Sequence, residues 1–169
     1  MQYTFGKTDI RDPEKLLFDS VEPVIRGLKM SLIELNVFHR KARGRNPGSV
    51  QVKATVYRKG ITGLEDCSRA HRAILPRLEL AYPAQEVYLE VSSPGIDRLI
   101  KDGGEFAHYI GCGIKCYRTD ISDWSEGVLC AADEQEIILR GDNGEITLPL
   151  EIIAKARLSA AINKMEQEE

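Results

Sequence analysis

Val50-Gln51-Val52-Lys53-Ala54-Thr55-Val56-Tyr57 places an apolar residue at every second position, with Val50, Val52, Ala54 and Val56 on one face and Gln51, Lys53, Thr55 and Tyr57 on the other. A period of two is that of a half-buried strand. Upstream, Met30 to His39 repeats it, setting Ile33, Leu35 and Val37 opposite Glu34 and Asn36. Between the runs, Gly44 to Gly48 encloses Asn46-Pro47, residues that turn a chain. The spacing predicts an antiparallel hairpin.

Helical spacing flanks it on both sides. Asp12-Pro13-Glu14 supplies a capping acid, a proline at the first helical position and an acid at the positive end of the dipole. Leu16, Leu17, Ser20, Val21, Val24, Ile25 and Leu28 then recur on one side, Pro23 costs the helix something, and Gly27 is placed to end it. After the hairpin, Thr62-Gly63-Leu64-Glu65 has capping-box spacing, and Leu64, Cys67, Ala70, His71, Ile74 and Leu78 form a second stripe, bent or ended near Pro76. Val87, Leu89 and Val91 alternate with Tyr88, Glu90 and Ser92 as a third strand. The order is α-β-β-α-β, a sheet with two helices on one face. Ser93 to Ile96, with proline second and glycine third, predicts a type II turn with Gly95 at positive φ.

Lys101-Asp102-Gly103-Gly104 is an expected linker. Beyond it, residues 114–118, 126–131, 137–140, 146–150 and 153–158 are short strand candidates at the spacing of a small all-β barrel, with Gly141-Asp142-Asn143-Gly144 as a hairpin turn. The expected fold is therefore α+β, with an N-terminal domain over residues 1–103 and a β domain over 104–169 that ends in an acidic tail.

The 169 residues, 43% hydrophobic and 29% charged, suffice for packed cores. No window approaches the roughly 18 apolar residues of a membrane span, and Met1 to Arg11 lacks the apolar core of a signal peptide. A cytoplasmic protein is expected, with Cys67, Cys112, Cys116 and Cys130 reduced and serving as packing residues. The net charge of −3 conceals a division. Residues 1–103 carry 17 Lys+Arg against 13 Asp+Glu, and residues 104–169 carry 6 against 13.

Catalytic patterns are missing. There is no phosphate-cradling Gly-x-x-x-x-Gly-Lys-Ser/Thr loop, no Gly-x-Gly-x-x-Gly and no His-Glu-x-x-His. Nothing in the spacing of Ser92, Ser93, Asp97 and the three histidines selects a triad. Cys112 and Cys116 share a strand face yet lie about 13 Å apart, too far for one zinc ion. Neither an enzyme, a cofactor nor a metal is expected. Gly60-Ile61-Thr62-Gly63 imitates the clamp of KH domains but follows a strand instead of joining two helices.

The basic run carries more. No acid lies between Glu34 and Glu65, an interval that holds Arg40, Lys41, Arg43, Arg45, Lys53, Arg58 and Lys59. Phe38 and Tyr57 are nearby aromatics for stacking on bases. Arg98, leaving the turn after Pro94-Gly95, is a further candidate for pairing with Asp97 or meeting a phosphate. A solvated surface loop is the bland alternative.

Leu64-Glu65-Asp66-Cys67, Leu89-Glu90-Val91-Ser92-Ser93-Pro94-Gly95-Ile96-Asp97-Arg98, and Leu148-Pro149-Leu150 through Ile153-Ala154-Lys155-Ala156-Arg157-Leu158 together resemble the RimP family of bacterial ribosome maturation factors. The resemblance covers nearly the whole chain. It implies an N-terminal α/β domain followed by an SH3-like (Sm-like) barrel. It also implies a non-enzymatic factor in 30S subunit assembly that engages 16S rRNA and the ribosomal protein uS12 without nucleotide or metal. The chain departs from the family at Leu99-Ile100, where Pro-Leu is usual, at Gly63, an apparent insertion, and in a longer, more basic loop from Arg40 to Gly48. The first barrel loop, Asp120 to Glu126, is acidic where relatives are often basic.

The expected RNA-binding set is Arg40, Lys41, Arg43, Arg45, Lys53, Arg58, Lys59 and Arg98. The expected protein-binding set is Asp133, Glu134, Asp142 and Glu145, facing a basic ribosomal protein. A monomer is expected. Two other readings remain open: an Sm-like RNA-binding regulator assembled as an oligomeric ring, and a protein adaptor with no RNA contact.

Overall fold

A computed structural model describes residues 13–60 and 62–159. They form two compact units, residues 13–94 and 95–159, and the fold is α+β.

The first unit runs α1 (Pro13–Gly27), β1 (Ser31–Arg40), β2 (Ser49–Tyr57), α2 (Leu64–Ala81) and β3 (Glu86–Ser92). The sheet order is β1-β2-β3; β1 and β2 are antiparallel, while β3 returns parallel to β2 after the α2 crossover. Val50, Val52, Ala54 and Val56 are almost fully buried with Leu17, Val21 and Ile25 of α1 and Ala70, Ile74 and Leu78 of α2. Each buried valine contributes about 1.5–3 kcal/mol. Both helices thus cover one face of the sheet, and Gln51 and Lys53 stay exposed on the other.

Local departures from the expected pattern have identifiable causes. A bulge between Leu32 and Glu34 shifts the β1 register, so Leu32 joins Leu35 and Val37 in the core and Ile33 is only half-buried. Leu16 and Leu64 lie outside their stripes, Leu64 at 85% exposure. α1 ends at Gly27 as expected, and the left-handed conformation that follows it is taken by Lys29 (φ 63°). Gly63, rather than Thr62, caps α2: its N–H donates to Asp66 Oδ2 at 3.0 Å, and the Thr62 hydroxyl accepts from Arg58 N–H. α2 continues through Pro76 to Ala81. Asp12 lies outside the described residues.

The second unit contains β4 (Leu99–Ile100), a 3-10 helix (Gly103–Tyr109), β5 (Gly113–Arg118), β6 (Asp123–Ala132), β7 (Glu136–Gly141), β8 (Gly144–Pro149), a 3-10 turn (Leu150–Ile152) and β9 (Ile153–Leu158). The sheet is antiparallel in the order β4-β9-β5-β6-β7-β8. β5 to β9 are the strands expected and β4 is an addition, but no pairing among the described residues joins β8 to β4, so the ladder runs open rather than closing as a barrel. β8 ends at Pro149, which has no N–H to extend pairing. Gly127 brings β6 tight against β7: a Cβ there would lie 2.6 Å from the Arg140 carbonyl oxygen.

The expected linker and turn are also replaced. Asp102 Oδ1 accepts the Glu105 N–H and caps the 3-10 helix, so residues 101–104 belong to the second unit's own structure. Gly95 is not at positive φ; the turn instead runs from Gly95 to Arg98, whose N–H donates to the Gly95 carbonyl at 3.1 Å.

Candidate nucleic-acid interface

The β1–β2 connection is held by its own short polar residues. Asn46 N–H donates to the Arg43 carbonyl at 3.1 Å, and Asn46 Oδ1 accepts from Gly48 N–H at 3.0 Å. Gly48 sits at φ 86°, where a Cβ would approach the Arg40 carbonyl oxygen to 2.8 Å, so only glycine fits. This compact loop holds Arg40, Lys41, Arg43 and Arg45 together at one end of the sheet, all exposed. Among the described residues, no carboxylate forms an ion pair with any of the four. Arg40, Lys41 and Arg43, with Asn46, Gln51 and Tyr88, line an open cleft of about 450 Å³.

The remaining expected cations are placed elsewhere. Lys53 points from the exposed sheet face and pairs with Glu90 across the strands at 3.4 Å. Arg58 Nε meets Asp66 Oδ2 at 3.0 Å, so it supports the carboxylate that caps α2. Lys59 follows the far end of β2, about 26 Å along the strand from the loop. Arg98 belongs to the second unit and donates to Glu105, whose carboxylate also accepts from Lys101 N–H and the Tyr109 hydroxyl. Burial and the neighbouring Glu105 push the Tyr109 phenol far above its ordinary value. Asp97 faces Arg157 at 3.9 Å instead.

The aromatic residues are redistributed too. Tyr57 is buried at 9% exposure, whereas Phe38 is 50% exposed. Tyr88, not singled out in the sequence reading, is 54% exposed. In the sheet, Phe38 pairs with Gln51 and Gln51 with Tyr88, making one row across three strands. The Tyr88 hydroxyl donates to Glu86 at 3.0 Å, and that bond with the adjacent negative charge raises the phenol's pKa.

The four acidic candidates do not gather. Asp133 and Glu134 occupy the β6–β7 turn, where Asp133 Oδ1 accepts from Gln135 and Glu136 N–H groups at 2.8 and 2.9 Å; those bonds hold its carboxyl below the ordinary value. Asp142 lies at the other end of β7, about 20 Å along the strand. Glu145, on β8, pairs with Arg140 at 2.8 Å. Among the described residues, no three His, Cys, Asp or Glu side chains assemble as a metal site, and no helix is long and apolar enough to cross a membrane.

Comparison with known proteins follows the same outline. Residues 20–97 match the model described as the RimP N-terminal domain. A protein of Borrelia hermsii named ribosome maturation factor RimP is 30% identical over 143 residues, 85% of this chain and 94% of its own. One of the same name from Borreliella afzelii is 29% identical over 148 residues, 87% of this chain and 96% of its own.

Proposed function

The chain belongs to the RimP family, and from that premise we propose that it is a ribosome maturation factor of the small (30S) subunit that binds immature particles through 16S rRNA. The observation that carries the rRNA contact is the cluster of Arg40, Lys41, Arg43 and Arg45 on one glycine-shaped loop, none of them in an ion pair with a carboxylate among the described residues. Cations held in this way neutralise phosphates and release counterions. Arg58 and Arg98 contribute to folding in this account, and Lys53 to pairing within the sheet.

The second unit's strand order, with a 3-10 turn between β8 and β9, supports an SH3-like reading. Its acidic turns suit a basic ribosomal protein, uS12, though as two separate contacts at opposite ends of β7. Opposite charges of this kind steer encounter and exclude wrong partners more than they add affinity. The role is binding without catalysis, in the cytoplasm, by a monomer.

Crosslinking in cells tests it. The RNA recovered with the chain is expected to be precursor 16S rRNA, with recovery falling in Arg43→Glu/Arg45→Glu. Recovery of no RNA, or equal recovery with that variant, overturns the proposal.

A further inference from the structure

Resting on the rRNA reading above, we propose that the open face of the first unit's sheet is a stacking platform for unpaired nucleobases, with Phe38 and Tyr88 as the stacking rings, Gln51 reading a base edge between them, and Arg40, Lys41 and Arg43 holding the phosphates of the same strand.

The geometry rests on the row Phe38–Gln51–Tyr88. Neighbouring strands lie about 4.8 Å apart, so the two aromatic positions are about 10 Å from each other. At that separation each ring leaves a face to a ligand instead of closing on its neighbour. Both rings are about half exposed, on the face opposite the one that packs against α1 and α2. The Glu86 carboxylate accepts the Tyr88 hydroxyl and restrains the ring. The Gln51 amide has no hydrogen-bond partner among the described residues and offers both a donor and an acceptor.

Charge selects the occupant. The row toward the loop begins with Arg40, and Lys41 and Arg43 line the same cleft as Gln51 and Tyr88. Of the carboxylates on this face, Glu90 is paired with Lys53, Glu34 accepts the Asn36 amide at 2.9 Å, and Glu86, which accepts the Tyr88 hydroxyl, lines the cleft as one negative charge against the three cations Arg40, Lys41 and Arg43. Phosphates therefore meet cations, while the apolar rings meet π-faces. A duplex would present phosphates but keep its bases stacked inside, whereas a single strand satisfies both features. An acidic peptide would satisfy the cations alone.

The test uses the full chain with a short single-stranded oligoadenosine carrying 2-aminopurine, whose fluorescence falls when the base stacks. Quenching on binding is expected. Phe38→Leu and Tyr88→Leu should each weaken binding about tenfold, because base–aromatic stacking is lost. Tyr88→Phe should restore it, and all three variants should unfold at nearly the parent temperature because both sites are exposed. Equal affinity for a duplex of the same length, undiminished binding by both leucine variants, or capture of polyglutamate in preference to the oligonucleotide would each overturn the platform. Immature small subunits separate this from the wider reading. If they bind the leucine variants normally but reject Arg43→Glu/Arg45→Glu, the platform fails alone; if they bind all variants normally, the rRNA reading fails with it.

Discussion

Arg98 donates from Nε to Glu105 Oε1, and the two side chains are only 12% and 5% exposed. A cation that the sequence offers to a phosphate is committed to a buried carboxylate. Glu105→Ala would remove the carboxylate against which the guanidinium is buried, a change that costs about 3–5 kcal/mol. Denaturant unfolding should show that loss, while the salt dependence of RNA binding stays at the parent slope. A flatter salt dependence in Arg98→Ala, measured where that variant remains folded, would instead assign Arg98 to the interface.

Gly48 makes a second prediction, about how the loop is held. Its φ of 86° and the 2.8 Å approach to the Arg40 carbonyl act together, so Gly48→Ala should destabilise by about 2–3 kcal/mol. Gly44, at φ 60° with open space around it, should cost only about 1 kcal/mol on the same change. Binding to immature subunits should fall more in the first variant, measured below the unfolding transition of both. Equal effects would show that the close approach does not shape the cluster.

The seven cations of the basic run should separate by role. Removing one phosphate-contacting cation lowers the slope of log affinity against log salt by about 1. Arg43→Ala is expected to show that decrease. Arg58→Ala should instead lower stability, since it leaves the Asp66 carboxylate at the start of α2 with the Gly63 N–H but without its cation, and should leave the slope unchanged. An unchanged slope in Arg43→Ala, or a reduced one in Arg58→Ala, would reverse these assignments.

Cys116 tests packing in the second unit. Burial pushes its thiol up to about 12 from an ordinary 9.0. A raised pKa in the folded chain means stability present below pH 9 that is lost as pH rises toward 12, because the unfolded thiol ionises first. The difference in unfolding free energy between the parent and Cys116→Ala should narrow across that interval. A constant difference would place the thiol in contact with water.

Much of the fold could be read from periodicity. The order α-β-β-α-β and five strands of the second unit are visible because their apolar residues alternate or recur at fixed spacing. The bulge at Ile33 was not, since a single looped residue reverses the facing of everything before it. β4 is two residues long, too short to carry a period. The site was legible in composition but not in arrangement. Whether a cation has a carboxylate partner depends on how the chain turns between them: eight residues from Arg58 to Asp66, seven from Arg98 to Glu105 and 37 from Lys53 to Glu90. Tyr88 was recognisable as an outward residue, yet its place beside Phe38 depends on β3 pairing parallel to β2. Asp133 and Asp142, nine residues apart in sequence, are held apart by the length of β7.

The most direct test of the cationic loop is the affinity for immature small subunits, measured from low to physiological salt, for the parent and for a chain with Arg40, Lys41, Arg43 and Arg45 all changed to alanine. The account predicts a steep fall with salt in the parent and a slope smaller by about 3–4 in the variant, one increment for nearly every charge removed. Parallel lines for the two chains would contradict it.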